Sequence, residues 1–151
     1  MKRKAVGAII YDKDGKYLLV HKVKIMDGKV KEIHMDSWDF VKGGVEAGEN
    51  DFDAVKREIW EETGCRTYEI EKIFKEKLCF KFAKEIASKI GFSSQETTMF
   101  LIRYLGDVKE LDSADGEIDS FICCKKEEVL DRLTNIETKD YWIKYLHGSL
   151  I

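Results

Sequence analysis

The 151-residue chain contains no proline, three histidines and four cysteines without paired spacing. Without proline, its turns depend on Gly, Asp, Asn and Ser. The histidines (His21, His34 and His147) are scattered, and Cys65, Cys79, Cys123 and Cys124 lack the paired spacing of a zinc site. The cysteines read as reduced thiols of a cytoplasmic protein, and Cys123 and Cys124 would face opposite sides of a shared strand. No apolar run approaches the roughly 20 residues of a membrane helix. The basic but short N-terminal stretch predicts no secretory signal. The formal net charge of −3 disfavours coating of nucleic acid by bulk basicity. What remains is a globular composition, 44% hydrophobic and 36% charged, on a length suited to a single domain over 1–151.

The local patterns predict a series of strands around one strong helix. Two apolar runs, 4–11 and 16–22, flank Asp12-Lys13-Asp14-Gly15 and read as a hairpin. Residues 24–37 read as a longer hairpin or loop with a turn at Asp27-Gly28, and 38–41 as a short strand ended by Gly43-Gly44. Residues 50–63 form the clearest helix. Asn50 or Asp51 would cap it, Gly64 would end it, and Phe52, Val55, Ile59 and Thr63 would make its buried stripe. One or two strands follow over 68–83, then a short helix or loop over 84–94. Strands are predicted at 97–105 and 118–124, and closing helices at 126–133 and 138–146. The order predicts an α+β fold in which helices sandwich a mixed sheet.

The chemistry concentrates in 43–65, GGVEAGENDFDAVKREIWEETGC. On a helix, Glu58 and Glu62 lie one turn apart, and Glu61 lies about 60° further round. This clustering of acids in the last two turns opposes the helix dipole and adds like-charge repulsion, each worth a few tenths of a kcal/mol or more. Arg57 can pair with Glu61 four residues on, whereas Glu58 and Glu62 have no such local partner. A solvated acidic face is one reading. The other is a site for a hard divalent cation with oxygen ligands, Mg²⁺ or Mn²⁺. A glycine-rich loop, Gly43 to Gly48, leads into this helix and can approach phosphate closely. Glu49 at its end can reach Arg57 or a helix-start amide.

The segment resembles the signature box of the Nudix hydrolases: Gly43, Glu49, Arg57, Glu58, Ile59, Glu61, Glu62 and Gly64 fall on its fixed positions. Cys65 stands where the pattern has an aliphatic residue, and Val41 precedes Lys42 where the family often has proline. The resemblance implies a Nudix-like α/β/α sandwich and a metal-dependent pyrophosphohydrolase in which water attacks phosphorus. It implies Glu58 and Glu62 as the first metal ligands, Glu61 as the next, and the Gly43 carbonyl and Glu117 as further ones, with Glu96 a rival for the last place. Arg57 and Glu49 become orienting partners, Glu58 or Glu61 or a later acid the base, and Gly43, Glu49, Arg57 and Gly64 the frame. Lys42 and Gly44 are expected at the substrate, Lys42 as an exposed phosphate contact, with positive φ at Gly43 or Gly44. Phe80, Phe82, Tyr104 and Trp38 are candidates to stack on a base, and Tyr141, Trp142 and Tyr145 read as packing. Nucleoside triphosphates and dinucleoside polyphosphates are both open as small-molecule substrates. An RNA end remains an alternative, with Lys22, Lys24, Lys29 and Lys31 as a local basic patch. The absence of a proline after the box disfavours nucleotide sugars. A non-catalytic nucleotide-binding module would be expected to lose the box carboxylates, and all of them are present.

Overall fold

The computed structural model describes residues 1–27, 31–113 and 116–146. The expected turn residue Gly28, Lys29 of the basic patch, Asp115 and His147 lie outside the described residues, as do the side chains of Lys24, Lys31 and His34. Strand β1 (Lys2–Tyr11) turns at Asp12–Gly15 into β2 (Tyr17–Asp27), and β3 (Lys31–Asp39) returns along β2. Asp12 shapes the first turn by accepting from the amides of Asp14 and Lys16. The strand expected over 38–41 is divided at Phe40. Its first part ends β3, and its second begins β4 (Val41–Gly44), of which Gly43 and Gly44 are the last two residues.

Helix α1 (Asp51–Thr63) follows, then β5 (Tyr68–Ile73), β6 (Leu78–Lys81), α2 (Lys84–Ile90), β7 (Ser94–Tyr104), β8 (Ile118–Cys124), α3 (Val129–Arg132) and α4 (Ile136–Tyr145). Single 3₁₀ turns occupy Val108–Glu110 and Lys126–Glu128. The sheet is mixed and runs β3-β2-β1-β7-β5, with β4 on β1, β6 on β7 and β8 on β2. Strand β1 lies parallel to β7 along its whole length, from Lys2↔Ser94 to Tyr11↔Arg103. On its other edge β1 pairs with β2 only through Ile10 and Tyr11, and with β4 through Ala5 to Ala8. The hairpin thus splays, and β4 enters the gap.

The two-residue pleat divides the apolar residues between two cores. Val6, Ala8, Ile10, Phe100 and Ile102 face α1, where Ala54, Val55 and Ile59 meet them. Ile9, Leu19, Met99 and Leu101 face α3 and α4, through Val129, Leu133, Tyr141 and Trp142. Cys123 packs toward the first core and Cys124 lies in the second, as strand alternation requires. Trp142 meets Tyr17 edge to face at 5.0 Å. One expected stripe residue departs: Phe52 is 46% exposed, although its ring still meets Phe100 at 5.7 Å between centroids. In its place the buried side of α1 includes Glu58 and Glu62.

Candidate active site

The box helix begins at Asn50, whose side chain accepts from the Asp53 amide at 2.8 Å. It ends at Gly64, where φ is 70° and a Cβ would stand 2.8 Å from the Asp112 carbonyl oxygen. Both conditions require glycine. The positive φ expected at Gly43 or Gly44 is found instead at Gly48 and Gly64. Gly43 is needed for a different reason, since a Cβ there would lie 1.9 Å from Glu58 Cδ. The β4 backbone and the Glu58 carboxylate therefore pack directly against one another.

Arg57 ties the frame together. Its Nε donates to Glu49 Oε2 at 2.8 Å and its Nη2 to Glu49 Oε1 at 2.9 Å. Nη1 donates to Glu58 Oε1 at 2.7 Å and to Glu61 Oε2 at 3.2 Å, and Nη2 also donates to the Gly44 carbonyl at 2.8 Å. Glu49 also accepts from the Glu46 amide, which closes the loop. Arg57 holds the Glu49 carboxyl down to about 2. Burial pushes Glu58 up to about 7 despite the Arg57 ion pair. The expectation that Glu58 lacks a local partner is thus corrected, because Arg57, the residue just before it, pairs with it.

Glu62 is 0% exposed, and Lys22 Nζ of β2 lies 3.5 Å from its Oε2. Its partner comes from another strand, which corrects the local expectation for Glu62 as well. Glu61 is the open member of the three, with its side chain 36% exposed. A freely solvated acidic face is therefore not what these residues form. Among the described residues no three carboxylate, imidazole or thiol groups already converge into a closed cation cage. Two buried carboxylates, a third at the cleft edge and the adjoining Gly43 backbone are hard oxygen donors suited to a divalent cation that takes its other ligands from water and substrate.

The site opens into a cleft of about 900 Å³. Gly43, Gly44, Glu58, Glu61, Arg57 and Glu117 line it, so the Glu117 expected from the sequence is brought to the box. Glu96 is not; it pairs with Lys2 at 3.3 Å. Lys42 also departs from expectation. It is 6% exposed, and its ammonium donates to Asp39 at 3.0 Å and to Thr138 of α4 at 2.6 Å. Lys42 is among the cleft-lining residues, but the pleat of β4 sends Gly43 toward Glu58 and the Lys42 side chain the other way, where its ammonium is a buried tie to Asp39 and α4 rather than an exposed phosphate contact. Gly44 lines the cleft, but its carbonyl is taken by Arg57.

Of the aromatic candidates, Phe80 and Phe82 line the cleft, 5.2 Å apart and edge to face. Tyr104 is buried and donates to the Asp107 carbonyl, and Trp38 lies against His21. Phe92 and Ile86 complete the apolar wall, and sequence reasoning missed both. Their signal was the apolar residues Ile86, Ile90 and Phe92 within the polar 84–94 segment, whose helix has no buried face of its own.

The NUDIX domain family profile matches residues 1–146. An RNA pyrophosphohydrolase of Bartonella bacilliformis is 26% identical over 112 residues, 72% of this chain and 65% of that protein. Another, of Sulfurovum sp., is 32% identical over 110 residues, 70% of this chain and 69% of that protein. The chain thus spans about 65% of the length of the Bartonella relative. The solved structure of the E. coli dihydroneopterin triphosphate pyrophosphohydrolase superposes with a TM-score of 0.72 at 15% identity, covering 97% of this chain and 96% of that one. With the box residues assembled as described and the profile running through α4, the chain belongs to the NUDIX family.

Proposed function

We propose that this chain is a cytoplasmic, divalent-cation-dependent pyrophosphohydrolase, folded as one domain over 1–151, that cleaves a phosphoanhydride of a nucleoside polyphosphate by water attack on phosphorus. The observation that carries the reading is the Glu58 carboxylate packed against Gly43 in a cleft large enough for a nucleotide, with Glu62 buried one turn further along the same side of α1. Glu58 and Glu62 would hold Mg²⁺ or Mn²⁺, with Glu61, the Gly43 carbonyl and Glu117 as further ligands. Such a cation, when bound, neutralises polyphosphate charge and acidifies water. Arg57 is a positioning residue that fixes the Glu58 rotamer and the loop. Glu61, the most open box carboxylate, would accept a proton from the attacking water. The rings of Phe80, Phe82 and Phe92 offer faces to the base.

A second reading places the same polyphosphate at the 5′ end of an RNA. Both curated relatives described above carry that activity in their names. Arg3, Lys4 and Lys81 line the cleft beside the phenylalanines, the interleaving of cations and rings that suits a single strand. A panel of nucleoside triphosphates, dinucleoside polyphosphates and triphosphate-ended RNA, each with Mg²⁺ and with Mn²⁺, tests both. Faster kcat/KM on the RNA than on its matching triphosphate selects the RNA end. The reverse selects the small nucleotide, and inertness toward every member of the panel overturns the proposal.

A further inference from the structure

Strand β2 is irregular on both edges at one residue. Its register against β8 shifts between His21 and Lys22, and its register against β3 shifts between Lys22 and Lys24. Lys22 follows Leu18 and Val20 onto the α1 side of the sheet, where its ammonium reaches the box. It donates to the Lys42 carbonyl at 3.0 Å and stands 3.5 Å from Glu62 Oε2, with its side chain only 14% exposed. Two other cations close to the box also have partners. Arg57 holds Glu49, Glu58, Glu61 and the Gly44 carbonyl, and Lys42 is tied to Asp39 and Thr138 on the far face.

A positive charge thus bridges the β4 backbone beside Gly43 and the buried carboxylate of α1, between the same groups the metal would engage.

We propose that Lys22 is a built-in counter-ion of the box: its ammonium stands in for the divalent cation in the metal-free chain, yields to it on binding, and thereby lowers metal affinity. The inference rests on Glu58 and Glu62 being metal ligands. A divalent cation close to a buried ammonium is repelled strongly at the effective dielectric of such sites, and the flexible stem of lysine relieves part of this by moving aside. Removing the charge while keeping the carboxylates should therefore tighten metal binding, where a purely structural lysine would loosen it.

The test is Mn²⁺ binding at pH 8, followed by the electron paramagnetic resonance of free Mn²⁺, for wild type, Lys22→Met, Lys22→Gln and Lys22→Arg. The neutral variants should bind about tenfold tighter or more, and Lys22→Arg within about threefold of wild type. Unchanged or weaker binding in the neutral variants overturns the proposal. Failure of wild type itself to bind Mn²⁺ at millimolar concentration would instead overturn the metal reading beneath it. A second measurement needs no neutral variant to fold. In wild type labelled at lysine Cε, the Lys22 resonance, assigned by its absence in Lys22→Arg, should move in step with Mg²⁺ saturation. A stationary resonance while Mg²⁺ demonstrably binds contradicts the proposal.

Discussion

Replacing Glu58 by glutamine keeps the size and hydrogen-bonding capacity of the side chain and removes its charge. The carboxyl lies against the Gly43 backbone, and burial raises it to about 7 from an ordinary value of 4.5. Because the folded value is the higher, the folded chain binds the proton more tightly than the unfolded chain. Stability tied to this group is present below about pH 4.5 and is lost as pH rises through about 7. The displacement corresponds to about 3 kcal/mol in the ionised form, with the Arg57 pair already included. In EDTA at pH 8, Glu58→Gln should therefore be more stable than wild type by up to about 3 kcal/mol, or roughly 6–12 °C in Tm for a chain of this size. Near pH 5 the two should melt almost together. Mn²⁺ should raise the wild-type Tm and leave the variant's nearly unchanged. Turnover should fall by about two orders of magnitude or more, since roughly 3 kcal/mol of transition-state stabilisation goes with the charge. Thermal melts at both pH values, with and without metal, check this. A metal-free Glu58→Gln that melts at or below wild type at pH 8 would refute the reasoning.

The other perturbations separate frame from substrate contact. Arg57→Ala strips Glu49, Glu58, Glu61 and the Gly44 carbonyl of a shared donor, so stability should fall by about 3–5 kcal/mol in melts and kcat should fall with it. Arg57→Lys should not restore either, because an ammonium cannot reproduce the two-pronged contact with Glu49. Lys42→Ala leaves Asp39 buried without its ammonium, so Tm should drop by roughly 6–20 °C. An unchanged Tm with a raised KM would restore the exposed-contact role expected from sequence. Phe82→Ala should raise KM for nucleotides by roughly 5- to 150-fold with kcat little changed, and should leave inorganic tripolyphosphate binding alone, as measured by competition.

The parts of the fold that were legible in the sequence are those whose signals are local. Asn50 caps α1 and Gly64 closes it, as their side-chain chemistry and left-handed preference dictate. The apolar and β-branched residues of 118–124, set between an acidic turn and a charged stretch, mark β8 at its observed limits. The box carboxylates and the Arg57–Glu49–Glu61 set were legible too, through helical spacing and the fixed motif. What could not be read depends on contacts distant in sequence. Nothing local distinguishes a buried Glu62 from a solvated one, because its partner Lys22 arrives from a bulged strand forty residues earlier. Lys42 looked like a loop cation until the pleat of β4 set it against Thr138, 96 residues away. Phe52 matched the helical period but is left half-exposed, since periodicity fixes direction and not how much of a side chain the opposing surface covers. The parallel pairing of β1 with β7, which positions β4 and the box, leaves no mark in either strand alone.

The central claim is that the box carboxylates and a divalent cation together hydrolyse a phosphoanhydride. It is tested most directly by reaction in ¹⁸O-labelled water with product identification by mass spectrometry, for wild type and Glu62→Gln, in Mg²⁺, in Mn²⁺ and in EDTA. The account predicts that wild type with metal cleaves within the polyphosphate, yielding a monophosphate and a phosphorylated remainder, one of them carrying a single ¹⁸O. It predicts that EDTA or Glu62→Gln reduces this cleavage by about two orders of magnitude or more. Undiminished cleavage in EDTA, or by Glu62→Gln with metal present, would contradict it.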